Sequence, residues 1–155
     1  MFLKIMSRLE EALVNVIMVI LVILTFINVV LRYIFDYSIP GSVELSILLF
    51  AWIIFIGSSV AMKNKGHIKI DLLEAILPKK GTRFLSILIG IMLITLSAFM
   101  CFYGFIFTYD VIGETLGASN IPKALVYLAF PIGFGLMGIH LINHLVITIK
   151  EISGE

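Results

Sequence analysis

The chain has 155 residues, 61% of them hydrophobic and 14% charged, where ordinary soluble domains carry roughly 45–50% and about 25%. Its formal net charge of +1 conceals a segregation: acids and bases are confined to short stretches between long apolar runs, with no like-charged tract suited to nucleic acid. A soluble globular domain and a nucleic-acid binder are excluded in favour of an integral membrane protein, and the single cysteine, Cys101, excludes a disulfide within the chain.

The opening MFLKIMSRLEEA places Lys4 and Arg8 where a signal peptide has its basic flank. The apolar run that follows has no small-residue cleavage site, is long enough to span, and precedes further spans, so it reads as a retained first helix over 12–31. Thr25, Asn28 and Arg32 share an arc of that helix, a polar stripe expected to face protein rather than lipid. Arg32 closes the span, where its guanidinium can snorkel to the interface. The second span covers 45–62, with Ser42 as its expected cap and Glu44 near the positive end of its dipole. Ser58 and Ser59, beside Gly57, read as packing residues.

The most polar stretch follows, AMKNKGHIKIDLLEAILPKKGTRF. Asp71 to Glu74 has capping-box spacing with Asp in the Ser/Thr place. Leu72, Leu73, Ile76 and Leu77 then share one face before Pro78 ends the run. This predicts a short amphipathic helix over 71–78 lying in the membrane interface, with Lys79, Lys80 and Arg83 placed against anionic lipid headgroups. The third span covers 84–107, with Thr82 as its expected cap. Gly90, Ser97, Cys101 and Gly104 fall within an arc of about 60° on it, at roughly 100° per residue, forming a small-residue groove. Groove and stripe suit either the chain's own bundle or a partner, with own-bundle packing preferred. The fourth span covers 124–147, after Asn120 and Pro122. Pro131 removes a backbone hydrogen bond to residue 127, and with Gly133, Gly135 and Gly138 nearby a kink and close packing are expected.

The expected architecture is all-α: four transmembrane helices plus the interfacial helix, in a single membrane domain over 1–155. Of 11 Lys and Arg, only Arg32 and Lys123 fall on one side of the spans, so both termini are expected in the cytoplasm. No ionisable group is expected at mid-depth, since Glu44, Asp110 and Glu114 sit at or beyond helix ends; this argues against a self-sufficient proton-coupled carrier. His140 and His144 share a helix face. Without a nearby Asp, Glu or Cys they read as an interfacial polar pair rather than metal ligands, and from one helix they cannot hold a single haem iron from opposite faces. No catalytic, cofactor-binding or metal residues are expected. A small exporter or channel and a membrane anchor for a redox enzyme stand as the other readings.

The chain resembles the small membrane subunit of TRAP transporters, the tripartite ATP-independent periplasmic carriers (DctQ family). The resemblance is carried by VVLRYIF, GSVELS, AWIIFIGSSVAMKNKGHIKID and IPKALVYLAFPIGFGLMGIHLI. Its most specific element is Glu44, Trp52, Gly57, Ala61, His67 and Asp71 in that order and spacing. Lys63 and Lys65 stand where the family often has arginine. The resemblance implies a non-enzymatic scaffold subunit in the bacterial inner membrane, paired with a large membrane subunit and, through it, with a periplasmic substrate-binding protein. The large subunit would hold the substrate and sodium sites for uptake of an organic anion such as a dicarboxylate, another carboxylic acid or a sialic acid. Arg32, Glu44, Trp52, Gly57, Ala61, His67 and Asp71 would then order the bundle or the subunit contact.

Overall fold

The computed structural model describes residues 2–64, 79–117 and 119–153. They form α1 (Phe2–Ile34), α2 (Ser42–Asn64), α3 (Lys79–Asp110), the single turn α4 (Lys123–Tyr127) and α5 (Ala129–Ser153). Among the described residues four stretches are long and apolar enough to cross a membrane: Ile5–Ile34, Ser42–Lys63, Leu85–Asp110 and Lys123–Lys150. Among the described residues there is no strand, only an isolated bridge between Thr115 and Pro122. The predicted surface helix over 71–78, with His67 and Asp71, lies outside the described residues.

The helices outrun the predicted spans. α1 takes in the polar segment before residue 12, because Lys, Met, Arg, Leu and Glu are all good helix formers and no Gly or Pro interrupts them. α3 likewise begins at Lys79, so Thr82 lies inside the helix rather than capping it, and Lys79, Lys80 and Arg83 belong to its first turns. Ser42 does not cap α2 either: its hydroxyl donates to the Ile39 carbonyl at 2.8 Å. The Gly41 carbonyl instead accepts the first helical bond, from Leu45 N–H at 2.9 Å. Gly41 has φ +76°, a left-handed conformation that glycine adopts without steric cost.

Pro131 has the predicted effect. The helix is interrupted at Leu128, between α4 and α5, because Pro131 offers no N–H to Tyr127 and its ring crowds that carbonyl. Hydrogen bonds from Leu128 N–H to Ala124 O (2.9 Å) and Ile132 N–H to Leu128 O (3.2 Å) carry the chain across the break.

Packing runs α1 on α2, α2 on α5, and α5 on α3; among the described residues α1 makes no backbone approach to α3 or α5. The four long helices therefore stand in an open row with α2 and α5 in the middle, not in a closed bundle. The loops after α1 and after α3 meet at one end of the row, and the N-terminus of α1 meets the end of α2 at the other.

The interior is small and polar. Ser7, Ser59, Ser97, Thr108, Ala129 and Pro131 are buried, while large apolar side chains such as Phe26, Met92 and Phe102 are exposed. This inversion is what lipid dictates, since lipid tails solvate large apolar groups and helices then associate through close backbone approach and hydrogen bonds. A close approach joins α2 to α5: a β-carbon at Gly133 would lie 2.5 Å from Phe55 Cβ and 2.8 Å from Phe55 O. The Phe55 ring in turn packs edge-on against Phe130, centroids 5.2 Å apart.

Candidate functional site

Two polar clusters tie the row together, one at each end of α2. At the loop end, Glu44 sits in the first turn of α2. Its Oε2 accepts the Ser119 backbone N–H at 2.7 Å and the Ser119 hydroxyl. Ser119 belongs to the loop between α3 and α4, whose limbs pair through Leu116 N–H to Ile121 O (2.8 Å) and Lys123 N–H to Glu114 O (2.9 Å). A Lys123–Glu114 ion pair at 2.8 Å crosses the same limbs, and Asn120, with φ +53°, makes the turn. Asn tolerates that left-handed conformation better than most residues with a side chain. The backbone at Gly41 fits against Ser119, where a β-carbon would lie 2.5 Å from Ser119 Cβ. Two turns along α2, Trp52 Nε1–H donates to the Leu125 carbonyl at 3.1 Å. Glu44 and Trp52 thus clamp the loop and the α4 turn onto α2, with a carboxylate and an indole each satisfying a main-chain group.

At the other end, Glu10 of α1, Ser59 of α2 and His140 of α5 converge, with only 6%, 0% and 4% of their surfaces exposed. Ser59 Oγ–H donates to Glu10 Oε2 at 3.1 Å. His140 Nε2 lies 3.3 Å from Oε1 and 3.2 Å from Oε2. Beside the cluster Lys63 pairs with Glu11 at 2.8 Å, both partly exposed.

This cluster overturns the reading of His140, which has an acid beside it and is that acid's buried partner rather than half of an interfacial pair. It also buries an ionisable acid inside the row, toward one end of α1 rather than at mid-depth. Starting the first span at residue 12 hid Glu10, which lies about two turns inside the longer α1. The contact joins residues 130 apart in sequence, and the only local signal was a Glu preceding an apolar run. Ser119 was missed for a similar reason: nothing local marks it as the partner of Glu44. Among the described residues no group of three or more His, Cys, Asp and Glu is placed to hold a metal ion.

The remaining predicted residues divide between interior and exterior. The α3 groove faces α5. Ser97 Oγ–H donates to Phe134 O at 2.6 Å, and β-carbons at Gly138 and Gly135 would lie 3.3 Å from Ser97 Oγ and 3.6 Å from Cys101 Sγ. Gly90 approaches Leu145, and Gly104 approaches Phe130 and Pro131. By contrast, Ala61 and Arg32 are exposed, and a β-carbon at Gly57 would meet nothing within 4 Å. The stripe expected to face protein does not do so within this chain: Thr25 and Arg32 are exposed and Asn28 is half-buried. Thr25 is made compatible with lipid by donating its hydroxyl to Leu21 O at 2.8 Å. The side chains of Lys79, Lys80 and Arg83 lie outside the described detail.

Four helices able to span, small and polar interior contacts, and a loop clamped at one end define a multi-pass α-helical membrane protein. Residues 21–151 match the family described as tripartite ATP-independent periplasmic transporters, DctQ component. The chain belongs to this family and is a small permease subunit of a TRAP transporter. It is 27% identical to the C4-dicarboxylate TRAP transporter small permease protein DctQ of Vibrio cholerae, over 84% of this chain and 67% of that one. With a putative TRAP transporter small permease protein of Haemophilus influenzae it shares 30% identity, over 82% of this chain and 79% of the relative. The isethionate TRAP transporter permease protein DctMQ of Oleidesulfovibrio alaskensis is 28% identical over 81% of this chain, a match that occupies 21% of that longer protein.

Proposed function

We propose that this chain is the scaffold subunit of a binding-protein-dependent importer, standing beside a larger membrane subunit that carries the substrate and sodium sites. The family match over residues 21–151 carries this reading. It is supported by the isethionate relative, where the region similar to this chain occupies 21% of a longer permease polypeptide. The open row supports it too, because a static scaffold needs a broad lateral surface rather than an enclosed pathway. Gly57 and Ala61 lie on the outward side of α2 with Ile47, Phe50 and Ile54, and we assign that side and Arg32 to the subunit contact.

The substrate is an organic anion. Relatives are named for C4-dicarboxylate and isethionate, both organic anions, which support this reading, and for ectoine, a zwitterion that carries a carboxylate. Both termini lie in the cytoplasm by the distribution of Lys and Arg. The clamped 111–122 loop then faces the periplasm and the binding protein, and the 65–78 segment, with His67, Asp71 and a surface helix over 71–78, braces the cytoplasmic side. The subunit performs no chemistry of its own.

Reconstitution in proteoliposomes tests this. Sodium-driven uptake is expected only when this chain, the large subunit and the binding protein are all present. Uptake by this chain alone would overturn the scaffold reading in favour of a small exporter or channel.

A further inference from the structure

The Glu10–Ser59–His140 cluster has no part in the scaffold role described above, yet its composition is costly. A carboxylate and an imidazole, both more than nine-tenths buried, are held inside a membrane-spanning row where an uncompensated charge is strongly unfavourable. Its placement is specific as well: α1 packs its backbone on α2 alone, and Glu10 carries it past α2 to α5.

We propose that Glu10, Ser59 and His140 form a buried protonation site that latches α1 to α5, and that the latch holds while acid and imidazole together retain one proton. With one proton between them the pair is neutral overall, and His140 Nε2–H can donate to a carboxylate whose two oxygens lie almost equally far from it, at 3.3 and 3.2 Å. Ser59 Oγ–H supplies the second donor to that carboxylate. A second proton leaves a buried imidazolium facing a neutral acid, and loss of the proton leaves a buried carboxylate facing a neutral ring. Each of those states strands one charge in the row, and α1 is the helix with the least other packing to hold it.

Among the described residues, the neighbouring groups do not remove this constraint. On α1, Arg8 is exposed and Glu11 is taken by Lys63 of α2 in a partly exposed pair that is itself neutral. Ser7, buried one turn before Glu10, brings no charge. On α5, His144 is half-buried one turn beyond His140, and Glu151 follows about three turns beyond His140 on the same helical face; a His144→Gln background isolates the cluster from the nearer group.

The test uses the full chain in lipid nanodiscs, alone and with its large subunit. Thermal stability and amide exchange of residues 7–14 are followed across pH for wild type, Glu10→Gln, His140→Gln and the double variant. Wild type should be most protected at intermediate pH and lose protection on both sides. Each single variant should exchange roughly tenfold faster or more at the optimum, the double variant less than the product of the two, as expected for partners in contact. The double variant should also have a flat pH profile. Independent single effects, or curvature that survives in the double variant within the His144→Gln background, would overturn the proposal. If the Gln variants do not fold, Ser59→Ala decides, since it removes one donor and little volume. It should narrow the pH range of protection, and an unchanged range would refute the latch. None of these readouts requires uptake, so the result is independent of the transport assignment.

Discussion

Replacing Glu44 removes the acceptor that anchors the 111–122 loop to α2. In Glu44→Ala the Ser119 N–H, 2.7 Å from the carboxylate, and the Ser119 hydroxyl lose their partner together. A hydrogen bond to a charged group is worth about 1.5–3 kcal/mol. Because both bonds end on one residue and the site is only part-buried, their losses overlap, and a net cost of about 2 kcal/mol is expected. That corresponds to a roughly 30-fold rise in the open fraction of the loop, at about 1.4 kcal/mol per factor of ten. Glu44→Gln keeps one carbonyl acceptor and should cost about half as much, roughly a fivefold rise. The assay is amide exchange in nanodiscs, read at Leu116 N–H and Lys123 N–H, whose bonds to Ile121 O and Glu114 O close the loop. The order Ala worse than Gln worse than wild type is the signature of an acceptor. Equal effects of Ala and Gln, or unchanged protection of both amides in Glu44→Ala, would refute the clamp.

Gly133→Ala places a β-carbon against Phe55 backbone as well as side chain, so α2 and α5 must part; a loss of about 1–3 kcal/mol, read as a lower melting temperature in detergent, is expected. Gly41→Ala meets both a left-handed backbone and Ser119, and should cost at least about 1 kcal/mol by the same measurement. Gly57→Leu should leave the stability of the isolated chain within about 0.5 kcal/mol of wild type, because a β-carbon there would meet nothing within 4 Å; it should weaken co-purification with the large subunit, and intact co-purification would move the contact elsewhere. Replacing Leu73 and Ile76 with aspartate should weaken the same co-purification, and unchanged recovery and uptake would count against a bracing surface helix.

The spans, the break at Leu128 and the role of the α3 groove were legible because each rests on a local cause. Hydropathy summed over a helix length marks a span, Pro131 acts on its own i−4 carbonyl, and small residues at helical spacing lie on one face wherever the helix packs. The row order was not legible. α2 is apolar all round, so periodicity gives it no preferred face and cannot distinguish an open row from a closed bundle. Helix ends were misread because a span predictor stops at charge, whereas a helix continues through Lys, Arg and Glu as readily as through Leu.

That error matters physically as well as for boundaries. Residues that look like flanking charges in a hydropathy reading are the ones able to bridge helices just inside the membrane, where a bond to a carboxylate has little competition from water. Glu10 and Glu44 both precede apolar runs, and both reach across to a partner far along the chain: Glu10 to Ser59 and His140, Glu44 to Ser119. Each contact also involves or sits on α2, at opposite ends. α2 therefore acts as the spine of the row, with α1 latched at one end and the 111–122 loop clamped at the other. Since Ala61 on its outward side is exposed and a β-carbon at Gly57 would meet nothing within 4 Å, a partner seated there would bear on the helix to which α1, α5 and the 111–122 loop are all tied.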